Sequence, residues 1–244
     1  MEKGKLIVAL DVETFDEARV LIDELKDVID IYKIGSQLFT ACGPVVVRYV
    51  LALGKQVFLD LKFHDIPNTV ANAVSSAVKL PQAVHEAQNN IQPTQELLMC
   101  TLHILGGGEM LKQAVAAAKK QAQNMGVKQT LLVGITVLTS DENADNVRDL
   151  VIERAKLAKE SGLDGIVASV QEAALIRKTF GPDFVIVTPG IRPAGADAGD
   201  QKRVATPAEA IRAGSNYLVV GRPIVKAENP RNAAKEILKQ LKEA

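Results

Sequence analysis

Two aspartates and a lysine, Asp60, Lys62 and Asp65, lie within six positions of one another, and this spacing could perform acid–base chemistry. Each carboxylate favours the charged form of the lysine, and together they hold its ammonium group in place. Such a cluster could repel a carboxylate of the substrate and then give a proton to the carbanion that remains. A salt-bridge cluster that only stabilises the fold is the alternative interpretation.

The position of this cluster in the chain favours a functional role. The cluster follows a short apolar run at 56–59, of the kind that forms a buried strand, and Pro67 then opens a helical pattern. Barrel enzymes carry their catalytic residues at the carboxyl ends of such strands. We therefore interpret Asp60, Lys62 and Asp65 as candidate catalytic residues.

Short apolar runs alternate with longer amphipathic segments along the chain. The runs are mostly continuous rather than alternating in polarity, which is typical of parallel strands buried on both faces. The predicted strands are 6–10, 31–34, 56–59, 98–104, 130–137, 165–168, 184–188 and 217–220. Eight strands with intervening helices in 244 residues predict an α/β fold, a single eight-stranded parallel (β/α)8 TIM-type barrel over 1–244. An open doubly wound sheet is the alternative.

The composition limits the possible partners and the compartment. The chain has 29 basic and 29 acidic residues, so no overall field favours nucleic acid or an anionic membrane. No apolar run approaches the roughly 20 residues of a membrane helix, and the first residues lack a signal-peptide core. Because the two cysteines, Cys42 and Cys100, are far apart in sequence, we expect reduced thiols and a cytoplasmic protein.

In a barrel, the residues at the strand ends point towards one mouth, and here many of them are charged or polar. They are Asp11, Lys33, Asp60, Lys62, His103, Thr139, Ser140, Ser169, Arg192 and Arg222. For Asp11 the alternative is a helix N-cap or a turn residue. Lys33 is flanked by apolar residues, where a solvated surface lysine is not expected, so we interpret it as functional.

The last two predicted strands carry features of a phosphate site, which barrels commonly form in the loops that follow them. Gly221 lets the backbone approach a ligand closely, and the Arg222 guanidinium suits phosphate oxygens. Arg192 and Gln201 lie in the preceding loop, 190–203. This loop is long, polar and rich in Gly, Ala and Pro, and we predict that it closes over the site as a mobile lid.

A metal site is a competing interpretation of the mouth. His64 and His103 could bind a metal with the strand-end aspartates, but no H-x-H or H-x-x-E spacing supports this, and we predict no metal. The glycines at 106–108 lack the lysine–serine/threonine pair and the spacing of nucleotide-binding loops. They predict a flexible turn from strand to helix.

Seven segments together resemble the orotidine 5′-phosphate decarboxylase family. In chain order they are VALD at 8–11, YKIG at 32–35, DLKFHDIPNT at 60–69, VLTS at 137–140, TPGIRP at 188–193, DQKR at 200–203 and VVGRPI at 219–224. They span nearly the whole chain, and their combination is specific. The resemblance implies decarboxylation of orotidine 5′-phosphate to UMP, the last step of de novo pyrimidine synthesis, by a homodimeric barrel without metal or organic cofactor.

The resemblance also implies roles for the residues of the catalytic end. Lys62 matches the proton donor, and Asp60 matches the carboxylate beside it. Asp65 matches a carboxylate that the partner subunit contributes to a shared active site, and Thr69 matches a residue that reaches across the interface. Lys33 belongs to the same group of charges.

The remaining matches are to substrate-binding residues. Asp11 and Lys33 match contacts to the ribose hydroxyls, and Thr139 and Ser140 match residues that meet the pyrimidine. The residues that match phosphate contacts are Arg192, Gln201, Gly221 and Arg222.

The chain departs from the family pattern at 80–97, where the family commonly has a shorter connection. The segment LHILGGG at 102–108 also differs from the small-residue turn that is usual there. Two other functions stay open. One is a metal-dependent sugar-phosphate lyase or epimerase on the same barrel, and the other is a sensor that binds a phosphoribosyl ligand without turnover.

Overall fold

Eight parallel strands close into a barrel within the part of the chain that the structure, a computed structural model, describes: residues 4–81, 97–137, 147–193 and 204–243. The strands follow one another in chain order, and the first pairs with the last. Because parallel neighbours need a crossover connection, helices separate the strands in sequence. The predicted barrel is confirmed, and the alternative of an open doubly wound sheet is wrong.

The strands are short, as is usual in globular proteins. They are β1 (Lys5–Ala9), β2 (Ile31–Gly35), β3 (Gln56–Phe63), β4 (Leu97–His103), β5 (Leu131–Ile135), β6 (Gly165–Val167), β7 (Val185–Thr188) and β8 (Tyr217–Val220). A 3₁₀ turn at Ile104–Gly106 follows β4 and a helix begins at Gly107, so the three glycines span the predicted turn and the start of the helix.

The α-helices of the described residues vary in length from one turn to 19 residues. They are α1 (Phe15–Leu25), α2 (Ser36–Cys42), α3 (Val45–Ala52), α4 (Pro67–Val78), α5 (Gly107–Met125), α6 (Val147–Glu160), α7 (Val170–Phe180), α8 (Pro207–Arg212), α9 (Arg222–Val225) and α10 (Pro230–Lys242). None of these described helices is long and apolar enough to cross a membrane.

Buried side chains form two core layers, one on each face of the strands. The smaller layer fills the inside of the barrel, and its buried members are Ile7, Ala9, Ile31, Phe58, Met99, Val133, Val187 and Val219. The larger layer includes Val8 and Tyr32, together with residues of the helices. Ile7 and Val8 enter different layers because successive side chains of a strand point to opposite faces. This burial on both faces explains the continuous apolar runs of the sequence.

The N-cap of α1 is Thr14 and not Asp11. The Thr14 side chain accepts a hydrogen bond from the Glu17 backbone N–H, and the Glu17 carboxylate accepts one from the Thr14 backbone N–H. This capping box satisfies amide groups that the first turn of a helix leaves without partners. The alternative interpretation of Asp11 as an N-cap is therefore wrong, and its carboxylate is available for other contacts.

Strand β3 continues past its predicted end at residue 59 to Phe63, and its register against β4 shifts in this added part. Leu59 pairs with Cys100 and Phe63 pairs with Leu102, so the three residues 60–62 of β3 lie opposite the single residue Thr101 of β4. Extra residues on one strand form a bulge, which bends the strand and redirects its side chains. Asp60 and Lys62 therefore belong to β3 rather than to the segment after it, and the prediction that the strand ends at residue 59 is wrong.

Both cysteines are free thiols, as predicted from their separation in the sequence. Cys100 is fully buried in β4, and this burial raises the pKa of its thiol to about 12. A thiol that stays protonated and inaccessible is unreactive. We therefore interpret Cys100 as a core residue without a chemical role.

Candidate active site

Four charged side chains, on β2, on β3 and just after β1, meet at the carboxyl end of the barrel. The Lys33 Nζ atom lies 2.9 Å from Asp11 Oδ1 and 3.8 Å from Asp60 Oδ2. The Lys62 Nζ atom lies 2.8 Å from the same Asp60 oxygen. The side chains thus form a row in which the sign of the charge alternates. We call this row the charged array, and its members in order are Asp11, Lys33, Asp60 and Lys62.

The centre of the charged array is shielded from solvent. The exposed fraction of the side chain is 11% for Lys33 and 12% for Asp60, but 36% for Lys62 and 53% for Asp11. Shielding from water strengthens the interactions between charges. A shielded charge is also costly without a partner, so Asp60 and the two lysines hold one another in place. Lys62 is the lysine that a ligand can reach most easily.

The buried hydroxyl of Thr101, on β4, forms hydrogen bonds with the Lys62 backbone and the Asp60 carboxylate. Its Oγ1 atom accepts a hydrogen bond from the Lys62 backbone N–H at 2.8 Å and donates one to Asp60 Oδ1 at 3.0 Å. Sequence reasoning missed Thr101. The available signal was a single hydroxyl within the otherwise apolar run LLMCTL at 97–102.

Gly35, at the end of β2, leaves room for the lysine of the array. A Cβ atom at Gly35 would lie 3.0 Å from Lys33 Nζ and 3.6 Å from Asp11 Oδ1. The φ angle of Gly35 is −94°, which any residue can adopt. The position therefore favours glycine because of the space that the ammonium group occupies, and not because of the backbone conformation.

A cavity of about 160 Å³ opens beside the charged array. Lys33, Asp60 and Lys62 form its polar wall. Its other lining residues are apolar: Phe58, Ile135, Val137, Val167, Val187, Pro189 and Val219. Apolar walls with a few convergent charges are typical of a small-molecule site.

A second cavity, of about 270 Å³, lies at the opposite end of the barrel, where β1, β2 and β3 begin. Its polar lining includes Lys5, Asp30 and Gln56, but no member of the charged array. Active sites of such barrels lie at the carboxyl ends of the strands. We therefore assign the candidate site to the smaller cavity.

Asp65 lies on the segment between β3 and α4, Thr69 lies in the first turn of α4, and both are exposed. The Asp65 Oδ1 atom accepts a hydrogen bond from the Ile66 backbone N–H at 2.6 Å. Among the described residues, Lys62 forms its ion pair with Asp60 and not with Asp65. Ile66 lies between Asp65 and Thr69 in sequence, and its apolar side chain is 66% exposed. These three residues form one exposed surface after β3. A single chain therefore does not join Asp65 to the charged array.

Three of the predicted phosphate residues, Arg192, Gly221 and Arg222, follow β7 and β8 within the described part of the chain. A Cβ atom at Gly221 would lie 3.4 Å from Asp11 Oδ2, so the end of β8 adjoins the charged array. Arg222 follows at the start of α9 and is exposed. Arg192 is largely buried, and its Nη1 atom donates a hydrogen bond to the Ile191 carbonyl at 3.0 Å.

The first residues of the predicted closing loop, 190–203, lie against Ala205, which follows the loop in sequence. The Arg192 backbone N–H donates to the Ala205 carbonyl at 2.9 Å, and Ile191 forms a parallel bridge with Ala205. Gly190 has a φ of 76°, in the left-handed region that favours glycine. Residues 194–203, which include Gln201, lie outside the described residues, as do Thr139, Ser140 and residues 82–96 of the 80–97 connection.

His64 and His103 stack beside the array, with ring centroids 5.4 Å apart. The His103 Nδ1 atom is buried and has no hydrogen-bond partner among the described residues. Burial, followed by the charges of His64 and Lys62, lowers the pKa of His103 below its usual value of 6.5. In the described ranges, no three His, Cys, Asp or Glu side chains converge as metal ligands would.

We expect His103 to make the free energy of unfolding depend on pH. Because its pKa is lowered in the folded state, the unfolded state binds the proton more readily, and stability falls as the pH drops below about 6.5. Above that value the group contributes no pH dependence. Urea midpoints at about pH 7.5 and about pH 5.5 measure this loss, which should be smaller in His103→Gln. An equal loss in both proteins would assign the effect to other groups.

The fold and the charged array define a class, the β/α-barrel enzymes with ionisable residues at the carboxyl ends of their strands. A family model described as Orotidine 5′-phosphate decarboxylase / HUMPS family matches residues 4–237. The chain belongs to this family, and the resemblance stated from its motifs is confirmed.

Bacterial relatives match the chain over nearly its whole length. The orotidine 5′-phosphate decarboxylase of Geobacter sulfurreducens is 44% identical over 247 residues, covering 98% of this chain and 96% of that protein. The one of Moorella thermoacetica is also 44% identical, over 98% of this chain and 92% of that protein. Among solved structures, orotidine 5′-phosphate decarboxylase from Lactobacillus acidophilus has a TM-score of 0.79 at 33% identity, and the match covers 98% of this chain and 99% of that chain.

Proposed function

We propose that the chain decarboxylates orotidine 5′-phosphate to UMP and that the charged array carries out the chemical step. The observation that carries this proposal is the row of alternating charges at the mouth of the barrel, with Lys62 Nζ 2.8 Å from Asp60. Relatives named orotidine 5′-phosphate decarboxylase, at 41–44% identity over nearly the full length, support the activity. We further propose that this reaction is the last step of de novo pyrimidine synthesis.

The reaction breaks the bond between C6 of the pyrimidine and its carboxylate, and the electron pair of that bond stays on C6. The ring carbonyls cannot readily delocalise this pair, so the protein must stabilise the developing charge by electrostatics. The Lys62 ammonium is held at one end of the array and is the more exposed of its two lysines, so it can act on C6. It then transfers a proton to C6, which gives UMP and CO2, and takes up a proton from water.

The other members of the array prepare this step. Asp60 lies beside Lys62 and repels the carboxylate of the substrate, and this repulsion is relieved when neutral CO2 leaves. Lys33 and Asp11 bind the ribose hydroxyls, and the Lys33 ammonium, 3.8 Å from Asp60 Oδ2, helps to orient that carboxylate. The apolar wall of the cavity excludes water, which strengthens each of these interactions.

Binding energy from the phosphate organises the site without touching the reacting carbon. We assign the phosphate contacts to Arg192, Gln201, Gly221 and Arg222. Gly221 supports this assignment because it adjoins Asp11, so a phosphate at the end of β8 would place the ribose near the array. Thr139 and Ser140 as pyrimidine contacts, and 190–203 as the closing loop, stay predictions. Interactions remote from the reacting atoms can be used to organise the catalytic groups.

We expect Arg222→Ala to raise KM for orotidine 5′-phosphate by roughly 10- to 100-fold, the cost of a hydrogen bond to a charged group. The exposed Lys226→Ala, four residues further on, is the matched control for the loss of one positive charge and should leave KM unchanged. We also expect phosphite to activate the unmutated enzyme towards a nucleoside that lacks the phosphate. If no oxyanion activates this truncated substrate, phosphate binding does not organise the site.

We propose a homodimer in which each subunit completes the active site of the other. The exposed segment after β3 supports this assembly, because Asp65 does not pair with Lys62 within one chain. The same surface carries Thr69 and the exposed apolar Ile66. In a two-fold dimer the same surface patch serves both subunits, so two complete sites form together.

The relatives favour the decarboxylase over the metal-dependent sugar-phosphate lyase or epimerase and over the sensor without turnover, because they are named decarboxylases. The two free cysteines support our further proposal that the protein works in the reducing cytoplasm.

Ultraviolet absorbance tests the proposed function. Orotidine 5′-phosphate added to the purified protein should lose its absorbance as it is converted to UMP, and the rate should survive exhaustive chelation of divalent metals. No change in absorbance at high enzyme concentration would contradict decarboxylase activity. A rate that is lost on chelation and regained with metal would favour the metal-dependent alternative.

A further inference from the structure

We infer that Thr101 is a positioning residue for decarboxylation, because its hydroxyl fixes both the Lys62 backbone and the Asp60 carboxylate. The inference rests on the proposed function. Thr101 does not line the cavity beside the charged array and is fully buried, so it acts through Asp60 and Lys62 rather than on the substrate.

Lys62 has an unfavourable backbone conformation that needs support. Its φ is 52°, and in the described ranges it is the only residue other than glycine with a positive φ. A side chain with a Cβ atom is disfavoured in this left-handed region, and such conformations persist only where the surrounding structure holds them. The conformation arises in the bulge of β3, where the register shift removes the regular ladder.

Thr101 lies opposite this bulge, and its side-chain hydroxyl takes the place of the backbone carbonyl that would accept the Lys62 N–H in a regular ladder. Its neighbours on β4, Cys100 and Leu102, pair with β3 on either side of the bulge. The Lys62 N–H donates to Thr101 Oγ1 at 2.8 Å. Without this acceptor, the partly buried Lys62 backbone N–H would have no hydrogen-bond partner in the conformation that directs the Lys62 side chain towards Asp60.

The same hydroxyl determines how the Asp60 carboxylate is oriented. Thr101 donates to Asp60 Oδ1 at 3.0 Å, which leaves Oδ2 for Lys62 at 2.8 Å and for Lys33 at 3.8 Å. A hydroxyl has one hydrogen to donate and lone pairs to accept, so both bonds form at once. Rotation of the carboxylate would change its distance to both lysines. One buried hydroxyl therefore sets the geometry of three of the four members of the array.

The test compares Thr101→Val, which keeps the shape and removes the hydroxyl, with Thr101→Ser, which keeps the hydroxyl. We expect Thr101→Val to lower kcat for orotidine 5′-phosphate roughly 100-fold, the cost of misplacing catalytic groups by about an ångström. Affinity for UMP should change less than about threefold, because the phosphate contacts do not involve Thr101. Thr101→Ser should restore kcat to within about threefold of the unmutated enzyme.

Thr101→Cys covers the case in which the valine variant does not fold, because a thiol is a weak donor and acceptor of similar size. We expect it to fold and to lose about tenfold in kcat. Ser215→Ala is the control for loss of a buried hydroxyl elsewhere, since Ser215 bonds to Thr188 at 2.6 Å and not to the array. It should lower the melting temperature without lowering kcat.

The outcomes separate this inference from the proposed function. If the unmutated enzyme does not turn over orotidine 5′-phosphate, the proposed function fails. If it is active but folded Thr101→Val or Thr101→Cys keeps its kcat, the positioning role is wrong. Equal losses in Thr101→Ser and Thr101→Val, or an equal loss of UMP affinity and kcat, would also overturn it.

Discussion

Lys62→Ala should abolish turnover of orotidine 5′-phosphate, with kcat lowered at least about 10⁴-fold, and should leave the affinity for UMP within about tenfold of the unmutated enzyme. The ammonium group acts on charge that develops at C6, so its contribution is greatest in the transition state. The phosphate contacts hold substrate and product alike and are intact in the variant. Single-turnover kinetics and equilibrium binding of UMP measure the two effects separately.

Lys55→Ala is the matched control for Lys62→Ala. Lys55 also forms an ion pair with a carboxylate at 2.8 Å, that of Asp30, but at the opposite end of the barrel. Its loss should leave kcat unchanged. If UMP affinity fell as much as turnover in Lys62→Ala, Lys62 would be a binding residue rather than the proton donor.

Mixing inactive Lys62→Ala chains with inactive Asp65→Ala chains should restore activity. In a mixed dimer with shared sites, one site carries both lesions and the other carries neither. Random exchange of equal amounts makes half of the dimers mixed, so roughly a quarter of all sites should be intact. Specific activity after exchange, relative to the unmutated enzyme, measures this fraction, and differently tagged chains verify that exchange has occurred.

The control for this experiment is a mixture of Lys62→Ala and Asp60→Ala chains. Lys62 and Asp60 are in contact within one chain, at 2.8 Å, so each site of a mixed dimer keeps one lesion. This mixture should stay inactive. Verified exchange without activity in the Lys62→Ala and Asp65→Ala mixture would show that each site is complete within one chain.

The architecture of the barrel could be predicted because its rules are local. Apolar runs of strand length, separated by amphipathic segments, identify parallel strands buried on both faces, and the observed strand Tyr217–Val220 matches its predicted bounds. Helix ends carry equally local signals. Gly181 follows the last residue of α7 and adopts a φ of 84°, a conformation that favours glycine.

The bulge in β3 could not be predicted, because it depends on the pairing of two strands. Nothing within residues 56–63 alone shows that Leu59 and Phe63 pair with residues only two positions apart on β4. For the same reason the role of Thr101 escaped prediction. Its contacts join residues 39 and 41 positions away in sequence, and one hydroxyl in a strand does not indicate its partners.

The members of the charged array could be predicted, but not their contacts. Strand ends identify Asp11 and Lys33 as neighbours at the mouth, and the structure pairs them at 2.9 Å. The sequence also brought Asp65 close to Lys62, only three positions away. In the described chain, however, Lys62 pairs with Asp60, and Asp65 accepts a hydrogen bond from the Ile66 backbone instead. Residues close in sequence need not be in contact where a strand ends and the chain changes direction.

Release of labelled CO2 tests the central claim most directly. Orotidine 5′-phosphate with a ¹³C label in its carboxylate should yield one equivalent of labelled CO2 and one of UMP with the unmutated enzyme, in the presence of a chelator. Under the same conditions Lys62→Ala should leave the label in the substrate. Substrate that is recovered unchanged from the unmutated enzyme in excess, or labelled CO2 released by Lys62→Ala at a comparable rate, would contradict catalysis by the charged array.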